Sequence, residues 1–291
     1  MKPTIAIVGC GKVGTTLAIW LSRAGYAITG LASNGPVSAK NAAALTATDH
    51  YGQTNWEMTL EADIVFITTP DGIISDVCDA ISQRKGFKKD AVILHCSGAH
   101  ASTILSSAKD CGAMIGSMHP LQSIASIKSE SNPFEGIIVS VEGEDRAVET
   151  ARQIATDLGA TSYTIRTEAK MLYHAAAVVA SNYLVALLGL SFKLIGKAGI
   201  PDTDAYSVLQ PLIGGTLGNI EKVGIPAALT GPISRGDVDT VAQHIEAMKA
   251  QTPELLSLYR TLGTATIDIA RAAGTLSEEG AGKLRDVLKD Q

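Results

Sequence analysis

The sequence has few aromatic residues, few cysteines and no block of positive charge, and each shortage narrows what the protein can be. Aromatic residues make up 4% of the 291 positions while glycine occurs 28 times, which favours close packing of helices and strands over a bulky core. Lysine and arginine number 24 against 29 acidic residues, a net charge of −5, with no basic run along the chain. The sequence therefore predicts no nucleic-acid partner.

The four cysteines are scattered, and they form no C-x-x-C pair and no zinc-ligand spacing with histidine. We expect no metal site, and we interpret the thiols as small buried side chains in a reducing compartment. The chain passes from Met-Lys-Pro-Thr directly into a β-like run, which leaves no space for a secretory signal. These patterns predict a cytoplasmic protein.

Residues 175–192 are apolar enough to resemble a membrane span. Ser181 and Asn182 interrupt the run, Lys170 and Lys193 flank it, and no second span accompanies it. We therefore expect a buried core helix and no membrane partner.

The first 165 residues alternate short β-branched runs with amphipathic stretches, which is typical of a parallel sheet covered by helices. After Arg166 the β-branched runs cease and long helical segments follow to the end. The prediction is a doubly wound α/β domain over 1–165 and an all-α domain over 166–291. The strands are expected at 4–8, 27–32, 64–68, 91–95, 114–117, 137–141 and 162–165.

A G-x-G-x-x-G motif follows the first predicted strand and opens the first helix, the context that a dinucleotide site requires. Gly9 permits the tight turn, Gly11 lets the backbone approach a diphosphate, and Gly14 lets the helix pack closely on the strand. An ordinary glycine-rich turn is the alternative. The motif predicts a Rossmann domain in which the cofactor is bound by Gly9, Cys10, Gly11, Lys12, Val13 and Gly14.

The second strand ends at Ser33 and Asn34 without the carboxylate that binds the ribose 2′-hydroxyl of NAD. These two side chains can donate hydrogen bonds and Lys40 can add charge, so we expect NADP. The alternative is that all three are turn or surface residues. Two later strand ends, Thr69-Pro70 and Ser97-Gly98, are expected to contact the ribose or nicotinamide, with turn formation as their alternative.

The chemistry is expected on the helix that opens the second domain. At about 100° per residue, Lys170 and His174 share one face, Ser181 follows on that face and Asn182 is rotated away. Either Lys170 or His174 could protonate a substrate as hydride arrives. The alternatives are a solvated lysine and a core imidazole.

Two polar turns complete the candidate set. His119-Pro120 follows a predicted strand, and Arg235 precedes Asp237 at the start of a helix. We predict a catalytic role for His119 and carboxylate binding by Arg235 or Asn182, although Arg235 could equally form a structural ion pair and Asp237 could cap its helix.

With these motifs in place, the chain resembles bacterial Rossmann-like proteins with a C-terminal helical domain of unknown function, the DUF2520 type. The resemblance rests on 9–14, 119–122, 173–182 and 229–237. The chain is more distantly similar to ketopantoate reductases, pyrroline-5-carboxylate reductase and β-hydroxyacid dehydrogenases, which implies a fold like that of 6-phosphogluconate dehydrogenase. In the β-hydroxyacid dehydrogenases a lysine at the position of Lys170 donates the proton and an asparagine follows four residues later, where this chain has His174.

The resemblance implies an NADP-dependent oxidoreductase that reduces a small 2-oxo acid, with ketopantoate as one candidate. An imine reductase of the pyrroline-5-carboxylate type is the alternative enzyme, and a nucleotide-sensing regulatory protein is the alternative from another class. The alanine-rich apolar helix favours a homodimer formed through the helical domain.

Overall fold

A computed structural model describes residues 2–122, 127 and 131–289. By their internal contacts the residues form two compact units, Met1–Ala180 and Ser181–Gln291. The predicted boundary after residue 165 marks the end of the β-branched runs and stays a prediction. The division by contacts falls later, inside a helix whose first turns pack on the sheet.

The first unit is built on an eight-stranded sheet in the order β3-β2-β1-β4-β5-β6-β7-β8. All neighbouring strands are parallel except β6 and β7, which are antiparallel. The strand order reverses between β1 and β4, the point at which open α/β sheets bind ligands. The strands are β1 Ile5–Val8, β2 Ile28–Ala32, β3 Tyr51–Gly52, β4 Ile64–Ile67, β5 Val92–His95, β6 Met114–Pro120, β7 Ile138–Gly143 and β8 Thr161–Thr164.

Helices cover both faces of this sheet, and a separate apolar core lies on each face. The central strands β1 and β4 are buried along their whole length, as expected for parallel strands packed on both sides. The predicted doubly wound architecture is confirmed. The helices of this unit are α1 Lys12–Arg23, α2 Pro36–Thr46, α3 Asn55–Thr59, α4 Ile74–Gln83, α5 Asp145–Asp157 and α6 Lys170–Val178, with 3-10 helices at Asp71–Ile73, Ser102–Cys111 and Thr167–Ala169.

The prediction missed β3 and α3, because a two-residue strand and a five-residue helix are too short to produce a periodic pattern. The segment Ser102–Cys111 is a 3-10 helix with a kink at Leu105. These differences matter for the functional site because α3 and Ser102–Cys111 both lie beside strands whose ends contribute to it.

The second unit is helical, with no strand between residues 181 and 289, which confirms the predicted all-α domain. A π-helical turn, Val179–Tyr183, contains the point in the chain at which this unit begins, and the core of the unit is formed mainly by its last three helices. Its helices are α7 Leu184–Lys197, α8 Asp202–Ala228, α9 Val238–Gln251, α10 Leu256–Ala272 and α11 Glu278–Leu288, with a 3-10 turn at Pro253–Leu255.

The expectation of a buried core helix at residues 175–192 is wrong. The helix Thr167–Lys197 is long and apolar enough to cross a membrane, with a mean hydropathy of 1.8, yet 6% of its most apolar window is buried. Both α7 and α8 are described in full, and they bury only Leu190 and Ala205 respectively. The apolar side chains of this region therefore face outward.

Candidate functional site

The glycine motif forms a tight turn between β1 and α1 that tolerates no side chain at two of its three glycines. Gly9 has a φ of +106°, and a Cβ there would lie 2.7 Å from the backbone of Thr68. A Cβ on Gly14 would lie 2.1 Å from the carbonyl oxygen of Gly9, so this glycine sets how closely α1 approaches the strand. A Cβ on Gly11 would meet no atom of the chain within 4 Å, which leaves its backbone open to a ligand.

A cleft of about 430 Å³ opens beside this turn. It brings together seven of the predicted cofactor residues, Gly9, Cys10, Gly11, Ser33, Asn34, Thr69 and Pro70. The other six lie outside its lining: Lys12, Val13, Gly14, Lys40, Ser97 and Gly98. Among them Gly14 is buried behind the turn, while Lys12 and Lys40 are exposed at the surface.

The cleft also contains three polar side chains that the sequence analysis missed, Ser38 on α2, Gln53 and Asn55. Gln53 donates a hydrogen bond of 2.7 Å to the carbonyl oxygen of Asn34, which fixes the backbone after β2. The signal of Gln53 and Asn55 in the sequence was weak because Gln53 follows the short strand β3 and Asn55 begins the short helix α3. The described lining residues include no carboxylate, so nothing there repels a phosphate on the adenosine ribose.

Cys10 lies in the cleft lining but contributes little reactivity. Burial raises the pKa of its thiol to about 11, and the thiol points to the carbonyl oxygen of Ala32 at 3.4 Å. A thiol with such a pKa is protonated at neutral pH and is a poor nucleophile.

A second group of polar side chains, here called the lysine row, crosses three strands of the same sheet. His95 on β5 pairs in register with Ser117 on β6, which pairs with Glu142 on β7. Paired residues share one face of a sheet. Lys170, the first residue of α6, adds its ammonium, and all four residues are buried.

Lys170 is 1% exposed, and its ammonium donates a hydrogen bond of 2.6 Å to Oγ of Ser117. Its Nζ lies 3.9 Å from Oε1 of Glu142. Burial lowers the pKa of Lys170, and the negative charge of Glu142 opposes this effect. The alternative of a solvated helix lysine is therefore wrong.

His95 is fully buried and remains uncharged. Burial, followed by the charge of Lys170, lowers its pKa to about 3. Its Nδ1 accepts a hydrogen bond of 3.1 Å from the backbone N–H of Ser97, so the neutral ring carries its proton on Nε2.

A histidine and tyrosine pair lies next to the lysine row. Nδ1 of His119 lies 3.1 Å from the hydroxyl of Tyr173, and the two rings meet edge to face. Burial, followed by the charge of Lys170, lowers the pKa of His119 to about 4. Burial also raises the pKa of Tyr173, while the Ser140 hydroxyl has the opposite effect.

Gly98 packs against two imidazoles at once. A Cβ at this position would lie 2.7 Å from Nδ1 of His174 and 2.8 Å from Nε2 of His119. Nδ1 of His174 is buried and has no hydrogen-bond partner among the described residues. The adjacent Ser97 hydroxyl accepts from the N–H groups of Ala99 and His100, so its turn-forming role is present.

The first unit thus brings Lys170, His174 and His119 together. Asn182 and Arg235 lie in the second unit and are exposed. The π-helical turn carries one residue more than an α-helical turn, so the spacing of about 100° that placed Ser181 on the face of Lys170 does not extend past Val179. Asp237 caps α9 by accepting from the N–H of Thr240, the structural role considered for it.

The sequence analysis missed His95, Glu142 and Tyr173. Glu142 had a usable signal, because a carboxylate inside the apolar segment Ile138–Gly143 needs a partner when that segment becomes a buried strand. Tyr173 follows Lys170 by three residues, which places both on adjacent positions of one helical turn. His95 ends an apolar strand and had no distinguishing pattern.

Two domain families match the chain. Residues 2–120 match the Rossmann-like domain, and residues 137–266 match the domain of unknown function DUF2520. These matches confirm the resemblance predicted from the sequence. No curated protein matches the chain.

The chain shares its architecture with many solved structures, of which three follow. The protein TM1727 from Thermotoga maritima has a TM-score of 0.73 and 26% identity, covering 92% of this chain and 99% of its own. BF3122 from Bacteroides fragilis, a candidate NADP oxidoreductase, has a TM-score of 0.72 and 23% identity, covering 92% and 98%. An imine reductase from Pseudomonas sp. has a TM-score of 0.63 and 13% identity, covering 98% and 92%. At 23% and 13% identity, the last two establish the fold alone.

Proposed function

Because the chain joins a Rossmann-like domain to a DUF2520 domain, we propose that it is an oxidoreductase that transfers hydride between a nicotinamide cofactor and a small carbonyl compound. One observation carries this proposal. Val8, Ile67, His95, Ser117 and Glu142 pair in register across five strands, so the glycine turn and the lysine row lie at the same level of one sheet. The cofactor cleft and a buried charge thus share the edge at which such sheets bind ligands.

We propose NADP as the cofactor. The cleft offers Ser33, Asn34 and Ser38 as donors and contains no carboxylate among its described lining residues. Exposed Lys40, on α2, adds positive charge for the 2′-phosphate. Measuring the affinity of the protein for both cofactors tests this choice. The Kd for NADPH is expected to be lower than the Kd for NADH, and equal affinities would contradict the proposal.

For the chemistry, we propose His174 as the group that protonates the substrate. A nicotinamide cofactor held at the glycine turn would supply hydride to the carbonyl carbon, and the imidazole of His174, which packs against Gly98, would supply the proton to the carbonyl oxygen. Lys170 is 1% exposed and donates to Ser117, and in this proposal it supports His174 from within the lysine row. Asn182 or Arg235 binds the substrate carboxylate in this proposal.

The proposed substrate is a small 2-oxo acid, with ketopantoate as one candidate. The test follows NADPH absorbance with ketopantoate, a panel of other 2-oxo acids and a panel of cyclic imines. Turnover of an oxo acid supports the proposal. Tight NADPH binding without turnover of any compound contradicts it and favours a nucleotide-sensing regulatory protein.

A second candidate is imine reduction, which the similarity to the Pseudomonas imine reductase over 98% of this chain favours. The same panel separates the two reactions, because only the imines would be consumed.

The variant His174→Ala tests the proton donor: turnover should fall while the affinity for NADPH is unchanged. A parallel fall in both would identify the imidazole as a packing residue.

We also propose that the chain forms a homodimer through its helical region. Large apolar side chains on α7 and α8 are exposed, including Val185 at 70% and Leu212 at 68%. Exposed apolar patches of this kind mark interaction surfaces in soluble proteins. Light scattering should give twice the chain mass of 30.2 kDa, and a monomer at micromolar concentration would refute the proposal. As a separate point, we propose that the protein is cytoplasmic.

A further inference from the structure

Glu142 is a buried carboxylate that faces neither the cofactor cleft nor solvent. It is 1% exposed and both of its oxygens are held, because the N–H and the hydroxyl of Ser102 donate hydrogen bonds of 2.8 Å to Oε1 and Oε2. Ser102 begins the 3-10 helix beside β5. The carboxylate therefore has a fixed position under the ammonium of Lys170.

A buried ammonium needs a compensating charge, since an unpaired one becomes neutral or destabilises the fold. The groups that act on Lys170 from other elements are His95 and Cys96 at β5, His119 on β6 and Asp71 beyond β4. His95 and His119 are uncharged at neutral pH, and burial raises the pKa of Cys96 to about 12. Tyr173, on the same helix, lies with its ring 6.0 Å from Nζ and has a raised pKa.

Asp71 is exposed, so water screens its charge. Among the residues that the structure describes, Glu142 is the one buried carboxylate within 4 Å of the Lys170 ammonium. The second acceptor, Ser117, orients the ammonium but carries no charge.

We infer that Glu142 is a positioning residue that keeps Lys170 in its ammonium form and directed at Ser117. As an account of how the site works, this inference rests on the proposed function. It has a consequence for the substrate: the charge of Lys170 is already neutralised within the lysine row, so the carboxylate of an oxo acid is bound by a group outside the row.

A purely structural role for Glu142, as an anchor for Ser102, makes a different prediction. An anchor can be replaced by glutamine, which has the same shape, can accept from the N–H of Ser102 and can donate to the hydroxyl oxygen of Ser102. A counter-ion cannot, because glutamine removes the charge that stabilises the ammonium.

The test measures the titration of Lys170 without substrate or cofactor. The full chain is labelled with lysine carrying ¹³C at Cε, and the Lys170 signal is assigned by its absence in Lys170→Met. The pKa of Lys170 is then compared among wild type, Glu142→Gln, Glu142→Asp and Glu149→Gln. Glu149 is an exposed carboxylate on α5 and provides the matched control.

The inference predicts that Glu142→Gln lowers the pKa of Lys170 by at least about 1 pH unit, a tenfold change in its acidity. Glu142→Asp should restore most of the wild-type value, and Glu149→Gln should leave it unchanged. A folded Glu142→Gln protein with a wild-type Lys170 titration overturns the inference. Circular dichroism verifies the fold of each variant.

If Glu142→Gln does not fold, Ser102→Ala provides the second variant, because it frees one carboxylate oxygen and leaves the charge in place. A smaller fall in the pKa of Lys170 is then expected, and no change overturns the inference. Because the readout needs no turnover, its failure is distinct from a failure of the proposed reaction.

Discussion

The cofactor cleft and the lysine row lie on one sheet but are constructed in opposite ways. At the cleft the backbone matters most: two glycines are required by contacts under 3 Å, and the third leaves an open approach. At the lysine row the side chains matter most, since a buried ammonium, a carboxylate and a neutral histidine come from separate segments. A binding site for a common cofactor needs shape, whereas a reaction site needs charge held away from water.

The largest effect that would sharpen this comparison is expected from Lys170→Met. Removing the ammonium should lower turnover by about 10²- to 10⁴-fold while the affinity for NADPH is unchanged. The variant also leaves Glu142 unpaired, so the free energy of unfolding should fall by about 3–5 kcal/mol. Steady-state kinetics, NADPH titration and urea unfolding measure the three quantities.

The exposed Lys193→Met is the control for that variant and should resemble wild type in every assay. Adding Glu142→Gln to Lys170→Met should recover part of the stability and none of the turnover. If Lys170→Met has the turnover of the wild type, the lysine row takes no part in the reaction.

Gly14→Ala and Gly11→Ala form a matched pair within the cleft. The Gly14 substitution forces a Cβ to 2.1 Å from a carbonyl oxygen, so we expect a loss of about 2–4 kcal/mol in the free energy of unfolding. The Gly11 substitution meets no atom of the chain, so stability should hold while NADPH affinity falls by about tenfold or more. Thermal unfolding and NADPH titration distinguish these outcomes, and equal stability of the two variants would contradict the backbone-based account.

Gly98→Ala tests whether the two regions meet at this glycine. The added methyl group collides with His174 and His119, so we expect turnover to fall by about 10- to 100-fold through displaced imidazoles. NADPH affinity should change less than in Gly11→Ala, because Gly98 is not in the cleft lining. Gly282→Ala, at an exposed position of α11, provides a control that should be neutral or slightly stabilising.

A change of pH, without any substitution, is also expected to change the stability of the protein. His95 and His119 have pKa values lowered to about 3 and about 4, so the unfolded chain binds protons at a higher pH than the native one. Their stabilisation is complete above about pH 6.5 and is lost as pH falls toward 4, at about 1.4 kcal/mol per pH unit for each histidine. Urea unfolding between pH 7 and 4.5 measures the slope.

His119→Gln should reduce that slope, while His244→Gln, at an exposed position on α9, should leave it unchanged. A slope that is the same in all three proteins would mean that His119 titrates normally and that the site is more hydrated than its burial indicates.

The contrast between backbone and side chains also explains what could be predicted. The doubly wound sheet, the helical second half and the glycine turn follow from contiguous patterns, because strand and helix periods and a six-residue motif are local properties. Lys170, His174 and His119 were predicted as catalytic residues, and the structure brings them together in the first unit. Their buried partners Glu142 and His95 were missed, since pairing across strands depends on register, which the sequence of a single strand does not show.

The burial of the apolar helix was predicted wrongly for a related reason. Periodicity and composition indicate that a segment avoids water, but they do not identify what covers it. The helices α7 and α8 are apolar and largely uncovered within one chain.

The outward-facing apolar residues of α8 have a thermodynamic consequence. In the proposed homodimer, association removes this surface from water, and the free energy of folding then includes the free energy of dimer formation. The midpoint of thermal unfolding should therefore rise with protein concentration, and dilution alone should destabilise the helical half. In such a protein, the amount of chain in the cell becomes a determinant of its stability.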